Sequence, residues 1–132
     1  MQIICFGYND LRMLGDGWYG VERSPEGILY RSSGPSAEFF TLISAPVSLS
    51  LIASARPEHA GESLKGAIKG QENSGFEFIL ETNGWTVIHG SVIPGESRAL
   101  RLSVENPWSP DRLYHNGDAR ALGILVSAVR MV

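Results

Sequence analysis

The sequence predicts an all-β fold, a two-sheet antiparallel β-sandwich of jelly-roll type, and three observations carry that prediction. Apolar residues recur with period two along most of the chain, as a half-buried strand requires, because successive side chains point to opposite faces. The 15 glycines and 7 prolines are spread through the chain and exceed the usual combined share of roughly 12%. Many short elements need many turns, and this is their signature. About nine short strands at a spacing of roughly 8–12 residues, with no convincing helix, match a sandwich or barrel. A two-sheet jelly roll is favoured because it buries a large apolar total with few exposed edges.

The elements follow in chain order. Ile3-Ile4-Cys5-Phe6 is an apolar run in which Cys5 reads as a small buried hydrophobe. Trp18 opens a strand, and Glu22 and Arg31 fall on two adjacent strands. Val47, Leu49 and Leu51 alternate with Ser48 and Ser50. Over 58–69 a helix is the competing choice, but Gly61, Gly66 and Gly70 each weaken it by roughly 1 kcal/mol relative to Ala. A strand with Leu64, Gly66 and Ile68 on one face and Lys65, Ala67 and Lys69 on the other is therefore expected. Phe76, Phe78 and Leu80 alternate with Glu77, Ile79 and Glu81, and Asn83-Gly84 follows. Since Asn-Gly suits the positive φ angles of a type I′ turn, residues 76–82 and 85–92 are expected to form one hairpin. Leu100, Leu102 and Val104 line one face of a further strand, and Leu122, Ile124, Val126 and Ala128 line the last. Ile52, Ile79 and Ile88 fall on the nominally polar faces of their strands, which hints at a second covered surface.

Composition bounds the function. The 132 residues, 43% hydrophobic and 19% charged, are expected to form a single domain spanning 1–132, neither disordered nor a coiled coil. Eleven Lys and Arg against fourteen Asp and Glu give a net charge of -3. Nothing concentrates positive charge, so no nucleic-acid partner is expected. No apolar run approaches the roughly 20 residues that span a bilayer, so no membrane insertion is expected. The start MQIICFGYND has no basic n-region or small-residue cleavage site, which points to the cytoplasm. Cys5 is the single cysteine, which excludes an intramolecular disulfide and a Cys-rich zinc site.

Chemistry is sparse. His59, His89 and His115 stand in no local pattern with Cys or another His, and no phosphate-cradling Gly-rich loop or G-x-S-x-G elbow is present. Glu22, Glu26, Glu38 and Asp118 are candidates for a glycosidase-like carboxylate pair, but they have no special context. No catalytic residue, metal ligand or cofactor is assigned. Jelly-roll loops accommodate calcium through carboxylates and carbonyls, but no Asp-rich loop here points to it.

The aromatics are more informative. Trp18, Tyr19, Tyr30, Trp85, Trp108 and Tyr114 mostly lie at strand starts or in loops. Sugar rings stack their C–H faces on such rings while carboxylates, guanidinium groups and amides take the hydroxyls, so a shallow Trp/Tyr platform with polar neighbours suits a carbohydrate. Trp18 reads as structural because it opens a strand. Trp85, which follows the Asn-Gly dipeptide, and Trp108, held among prolines in Asn106-Pro107-Trp108-Ser109-Pro110, are the better platform candidates.

Leu14-Gly15-Asp16-Gly17-Trp18-Tyr19-Gly20-Val21-Glu22, followed by Tyr30-Arg31-Ser32-Ser33-Gly34, resembles a G-x-G-W-x-x-x-E…(F/Y)-R-W-(S/T)-G signature, with Ser32 where the signature has its second Trp. Asn106-Pro107-Trp108-Ser109-Pro110 and Asp118-Ala119-Arg120-Ala121-Leu122-Gly123-Ile124 are similar to the closing P-x-x-x-P and D-x-R-x-L-G-(I/L/V) of the same pattern. The family is a β-sandwich module of bacterial proteins linked to glycosyltransferases and surface-polysaccharide assembly. The resemblance covers nearly the whole chain in order. It implies a jelly-roll sandwich that serves as a non-catalytic glycan-recognition or accessory unit.

If the first and last strands meet, Glu22, Arg31, Asp118 and Arg120 can form an Arg–carboxylate cluster. That cluster either pins the N-terminal motif to the last strand or forms a polar floor for a sugar. The candidate ligand-binding residues are therefore Trp85, Trp108, Trp18, Tyr19, Tyr30, Glu22, Arg31, Asp118 and Arg120, and the expected partner is a glycan or a polysaccharide-assembly protein. The rivals are a protein-interaction module, self-association as a homo-oligomer included, and a small glycan-active enzyme.

Overall fold

In the computed structural model, which describes residues 1–55, 63–81 and 84–132, the alternating runs become ten strands among the described residues. They are β1 (Gln2–Cys5), β2 (Trp18–Arg23), β3 (Leu29–Ser33), β4 (Ser36–Phe40), β5 (Val47–Ser54), β6 (Leu64–Lys69), β7 (Gly75–Leu80), β8 (Thr86–Val92), β9 (Ala99–Val104) and β10 (Leu125–Met131). One sheet runs β2-β3-β10-β5-β8, with β1 also on β10, and the other runs β4-β9-β6-β7. Every described ladder is antiparallel. From β3 onward the chain changes sheet at every connection except β6 to β7. This is the interleaving of a jelly roll, so the expected all-β sandwich is what forms. A five-residue helix, α1 (Pro110–Tyr114), is the one α-helix among the described residues. Pro110 opens it, where its missing N–H costs nothing.

The core lies between the sheets. Leu49, Leu51 and Ala53 from β5 meet Leu64, Ile68, Phe78, Leu80, Leu100 and Leu102 from the second sheet, all buried. Ile4 and Phe6 cover one end, while Cys5, between them, is only half-buried because alternation turns it away from the core. Trp18 behaves as the structural residue expected. Its ring packs edge-on against Phe6 at 5.0 Å, and its indole N–H donates to the Glu38 carbonyl at 2.8 Å, tying β2 to β4.

Three expectations are corrected. Residues 76–82 and 85–92 do not form a hairpin: β7 pairs with β6 and β8 pairs with β5, in opposite sheets. Asn83 lies outside the described residues. The tight hairpin is β6–β7, closed by Gly70 to Gly75, where the Gly70 N–H donates to the Ser74 carbonyl at 3.1 Å and Asn73 and Gly75 take positive φ. Ile88 is not on a polar face but in the core with Val92. The reason is Gly90, which shares that face; a Cβ there would overlap the Phe76 ring, so the two sheets close upon each other at that point. Ile52 and Ile79 do face solvent. The last strand starts at Leu125, and a bulge between Val126 and Ala128 resets its alternation. Ile124 and Val126 point inward before it, and Val129 and Met131 after it, which moves Ala128 to the outer face. Of the 58–69 segment, 64–69 is the expected strand, and 58–62 lies outside the described residues.

Candidate functional site

The hairpin β2–β3 does meet the last strand, as the charge argument requires, with Arg31 opposite Val126. The four predicted charges nonetheless do not make one cluster. Residues directly opposite in a ladder share a face. Arg31 is paired with Val21 and the core-facing Val126, whereas Glu22 is paired with Tyr30 on the outer face. Glu22 and Arg31 therefore point to opposite sides of the sheet. Arg31 turns instead to Asp10, with Nε 2.7 Å from Oδ2, and donates a second bond to the Tyr19 carbonyl at 3.1 Å. Asp10 is 1% exposed, and the same oxygen accepts the Gly7 N–H at 3.0 Å.

Asp118 and Arg120 pair with each other through two bonds, at 2.9 and 2.7 Å, near the surface. The Arg120 guanidinium lies 5.3 Å from the centre of the Tyr19 ring, and the Tyr19 hydroxyl donates to the Ala121 carbonyl at 3.2 Å. Hydrogen bonding to Asp118 raises Arg120 further above its ordinary pKa against the opposing effect of burial, with the fields of Asp118, Glu22 and Tyr19 adding to the rise. Tyr19 is thus the link between the two pairs, its carbonyl on Arg31 and its ring beneath Arg120. This arrangement pins the N-terminal motif to the segment before β10.

Trp108 does not belong to a platform. It is 8% exposed and forms a two-residue bridge with Leu122, exchanging backbone bonds of 2.9 and 2.7 Å. The flanking prolines keep it out of a long strand, yet its side chain is buried, as is Leu122 across the bridge.

The aromatics that do come together on the surface are Tyr30 and Trp85. Tyr30 stands on the outer face of β3, and Trp85 immediately precedes edge strand β8. Their ring centroids are 5.9 Å apart with planes inclined at 54°, and both are half-buried. They border a groove of about 200 Å³ with Ser24, Pro25, Glu26, Ser54, Ala55 and Leu125. The β2–β3 turn sets its rim. Ser24 Oγ accepts the Ile28 N–H at 3.1 Å, and Gly27 takes a positive φ of 90°, leaving Glu26 at the lip. The Ser24 hydroxyl, and then a backbone N–H, hold the fully exposed Glu26 carboxyl below its ordinary pKa. The groove therefore offers two tilted aromatic faces and an ionised carboxylate, while the Ser54 hydroxyl beneath is buried and donates to the Ala55 carbonyl at 2.9 Å. Larger hollows of about 370 and 470 Å³ lie on the second sheet, but each has a single aromatic lining residue, Phe76 or Phe78, among charged ones.

Sequence reasoning missed Asp10, Ser24, Ser54 and Leu125 as neighbours of the singled-out residues, and it considered Glu26 only for a carboxylate pair. Gly7-Tyr8-Asn9-Asp10 carries a turn signal that could have marked Asp10 as a brace. Nothing local marks Ser54 or Leu125. Among the described residues, no three His, Cys, Asp or Glu side chains are grouped to hold a metal ion, and no helix is long and apolar enough to cross a membrane. No protein-family model matches the chain, and no curated protein matches it either.

Proposed function

We propose that this chain is a non-catalytic carbohydrate-recognition module that works beside bacterial polysaccharide-assembly enzymes in the cytoplasm, with the Tyr30–Trp85 groove as its glycan site. The observation that supports this reading is the tilted pair of aromatic faces, 5.9 Å apart, over a groove rimmed by Ser24, Glu26 and Ser54. Ring C–H faces of a sugar fit the aromatics, and the Glu26 carboxylate suits its O–H groups. The link to polysaccharide assembly rests on the resemblance of the motifs at 14–34 and 106–124.

Binding is expected between roughly micromolar and millimolar, about -4 to -8 kcal/mol. A glycan array followed by intrinsic fluorescence tests it. Trp18 and Trp108 are packed inside, so Trp85 is the reporter. A saturable hit, abolished by Trp85→Ala and weakened by Tyr30→Ala in folded protein, is the expected result. Silence across diverse bacterial and plant glycans would remove the reading. It would favour the protein-interaction alternative, for which the 80% exposure of both Tyr8 and Leu11 on the turn braced by Asp10 is the specific observation.

A further inference from the structure

A strand at a sheet edge presents unpaired N–H and C=O groups, and folds blunt such edges with charges, bulges or covering segments. Five described strands carry an edge here, and four are closed. On β1 the Asn9 side chain accepts the Cys5 N–H at 2.7 Å and donates to the Ile3 carbonyl at 3.1 Å, capping the backbone groups that face away from β10. β2 is bulged between Trp18 and Val21 and ends in Glu22 and Arg23. β4 is covered by residues 13–16, through Gly15 N–H to Glu38 carbonyl at 2.8 Å, Glu38 N–H to Asp16 carbonyl at 2.9 Å and Phe40 N–H to Met13 carbonyl at 2.9 Å. β7 turns Glu77 outward, so two copies of that edge would set acid against acid.

Among the described residues, β8 has none of these devices. Thr86–Val92 contains no Lys, Arg, Asp, Glu or Pro, and its register with β5 is unbroken from Val47↔Val92 to Ala53↔Thr86. Ser48 exchanges both backbone bonds with Val132 on the β10 side, at 2.9 Å each. Alternation then turns Leu49, Leu51 and Ala53 toward Gly90, Ile88 and Thr86. Val87, His89 and Ser91 are left with their N–H and C=O on the open side, where no described residue bonds them.

We propose that this edge is the dimerisation surface of the protein, with β8 of a second copy pairing antiparallel across a two-fold axis at His89. The occupant is a second copy because the edge is complementary to itself. Centring on His89 sets Val87 of one copy against Ser91 of the other and His89 against its equivalent, all in the pairing that exchanges two bonds, for about six hydrogen bonds. No like charges meet. Val87, 50% exposed, and its cross-strand neighbour Ile52, 39% exposed, continue the apolar surface beside the junction. A contact made by one edge strand is expected to bury less than the roughly 1,200–2,000 Å² of stable complexes, and a dissociation constant on the order of micromolar is expected. The axis is perpendicular to the joined sheet, so both Tyr30–Trp85 grooves face the same side. That last consequence rests on the glycan reading; the dimer does not.

Sedimentation equilibrium of the full chain from roughly 5 to 500 micromolar, spanning the expected constant, tests the proposal. The wild type is expected to pass from monomer to dimer, with amide exchange at Val87, His89 and Ser91 slowing as concentration rises. His89→Lys places two cations opposite each other across the axis and is expected to leave a folded monomer throughout. If His89→Lys does not fold, the double variant Val87→Lys, Ser91→Lys serves the same purpose, because it sets cation against cation at both flanking pairs, and Glu77→Lys on the other edge is expected to leave the dimer intact. A wild type that stays monomeric, or a dimer that survives a folded His89→Lys variant or a folded Val87→Lys, Ser91→Lys double variant, overturns the proposal.

Discussion

Replacing Arg31 by Met tests the assignment of Asp10 as its partner. The guanidinium is lost, and the Asp10 carboxylate, 2% exposed as a side chain against 14% for Arg31, keeps the Gly7 N–H at 3.0 Å. Removing one member of a buried ion pair costs about 3–5 kcal/mol because the other charge is left desolvated. The remaining N–H donor and the partial exposure of Arg31 place the expected loss near the lower end, about 3 kcal/mol. With an unfolding entropy of roughly 2.1 cal/mol/K per residue over 132 residues, that loss lowers Tm by about 11 °C. Urea and thermal unfolding followed by circular dichroism measure it. The double variant Asp10→Asn, Arg31→Met is expected to be more stable than the sum of its singles by about 1–3 kcal/mol, since removing both charges removes the stranded one. A Tm fall of under about 3 °C for Arg31→Met, or strictly additive singles, would show that water already screens the pair and refute the argument.

Two further outcomes follow from the site. Trp108→Ala is expected to cost about 3–5 kcal/mol in urea unfolding, as a large buried ring leaving a cavity, whereas Trp85→Ala should cost about 1 kcal/mol; equal losses would place both rings in the core. Ser24→Ala should bring the Glu26 carboxyl back up toward its ordinary pKa, read by carbon NMR titration. Because Glu26 is held down in the folded state, its contribution to stability is present above the unfolded carboxylate pKa and is lost as pH falls through the lower folded value. The gap between variant and wild type should therefore narrow as pH falls, down to the pH-independent loss of the bond from the Ile28 N–H to Ser24 Oγ.

Alternation made the strands legible, because a period of two survives wherever one face is buried and the other wet. Leu100, Leu102 and Val104 were assigned to a core face from the pattern alone, and they fill it. Pairing was not legible in the same way. Asn83-Gly84 carried a strong local hairpin signal between two good strands, yet a jelly roll sends those strands to opposite sheets. Local turn chemistry cannot report which sheet the next strand joins. The true hairpin at Gly70–Gly75 has its own signal, an Asn and two glycines, but it lacked the short two-residue form. The bulge in β10 and the inward face of β8 were hidden for a related reason: Val87 and Ile88, or Ala128 and Val129, are apolar neighbours, so either register satisfies the pattern. What decides is a distant glycine, Gly90, closing against Phe76.

The charges show the same division on the scale of the site. Arg31 does lie where the N-terminal motif meets the last strand, since its ladder partner is Val126, but it takes no part in the four-charge cluster expected of it. Its carboxylate was misread because Glu22 is close in the ladder but on the wrong face, while Asp10 comes from a turn 21 residues away. Tyr30 owes its exposure to that same alternation. Arg31 must point inward to reach Asp10, so its neighbour Tyr30 must point out, beside Glu22 and toward Trp85. The buried ion pair and the surface aromatic groove are consequently two faces of one strand. A substitution that turned β3 over by one residue would lose both together, which is a stronger constraint than either site imposes alone.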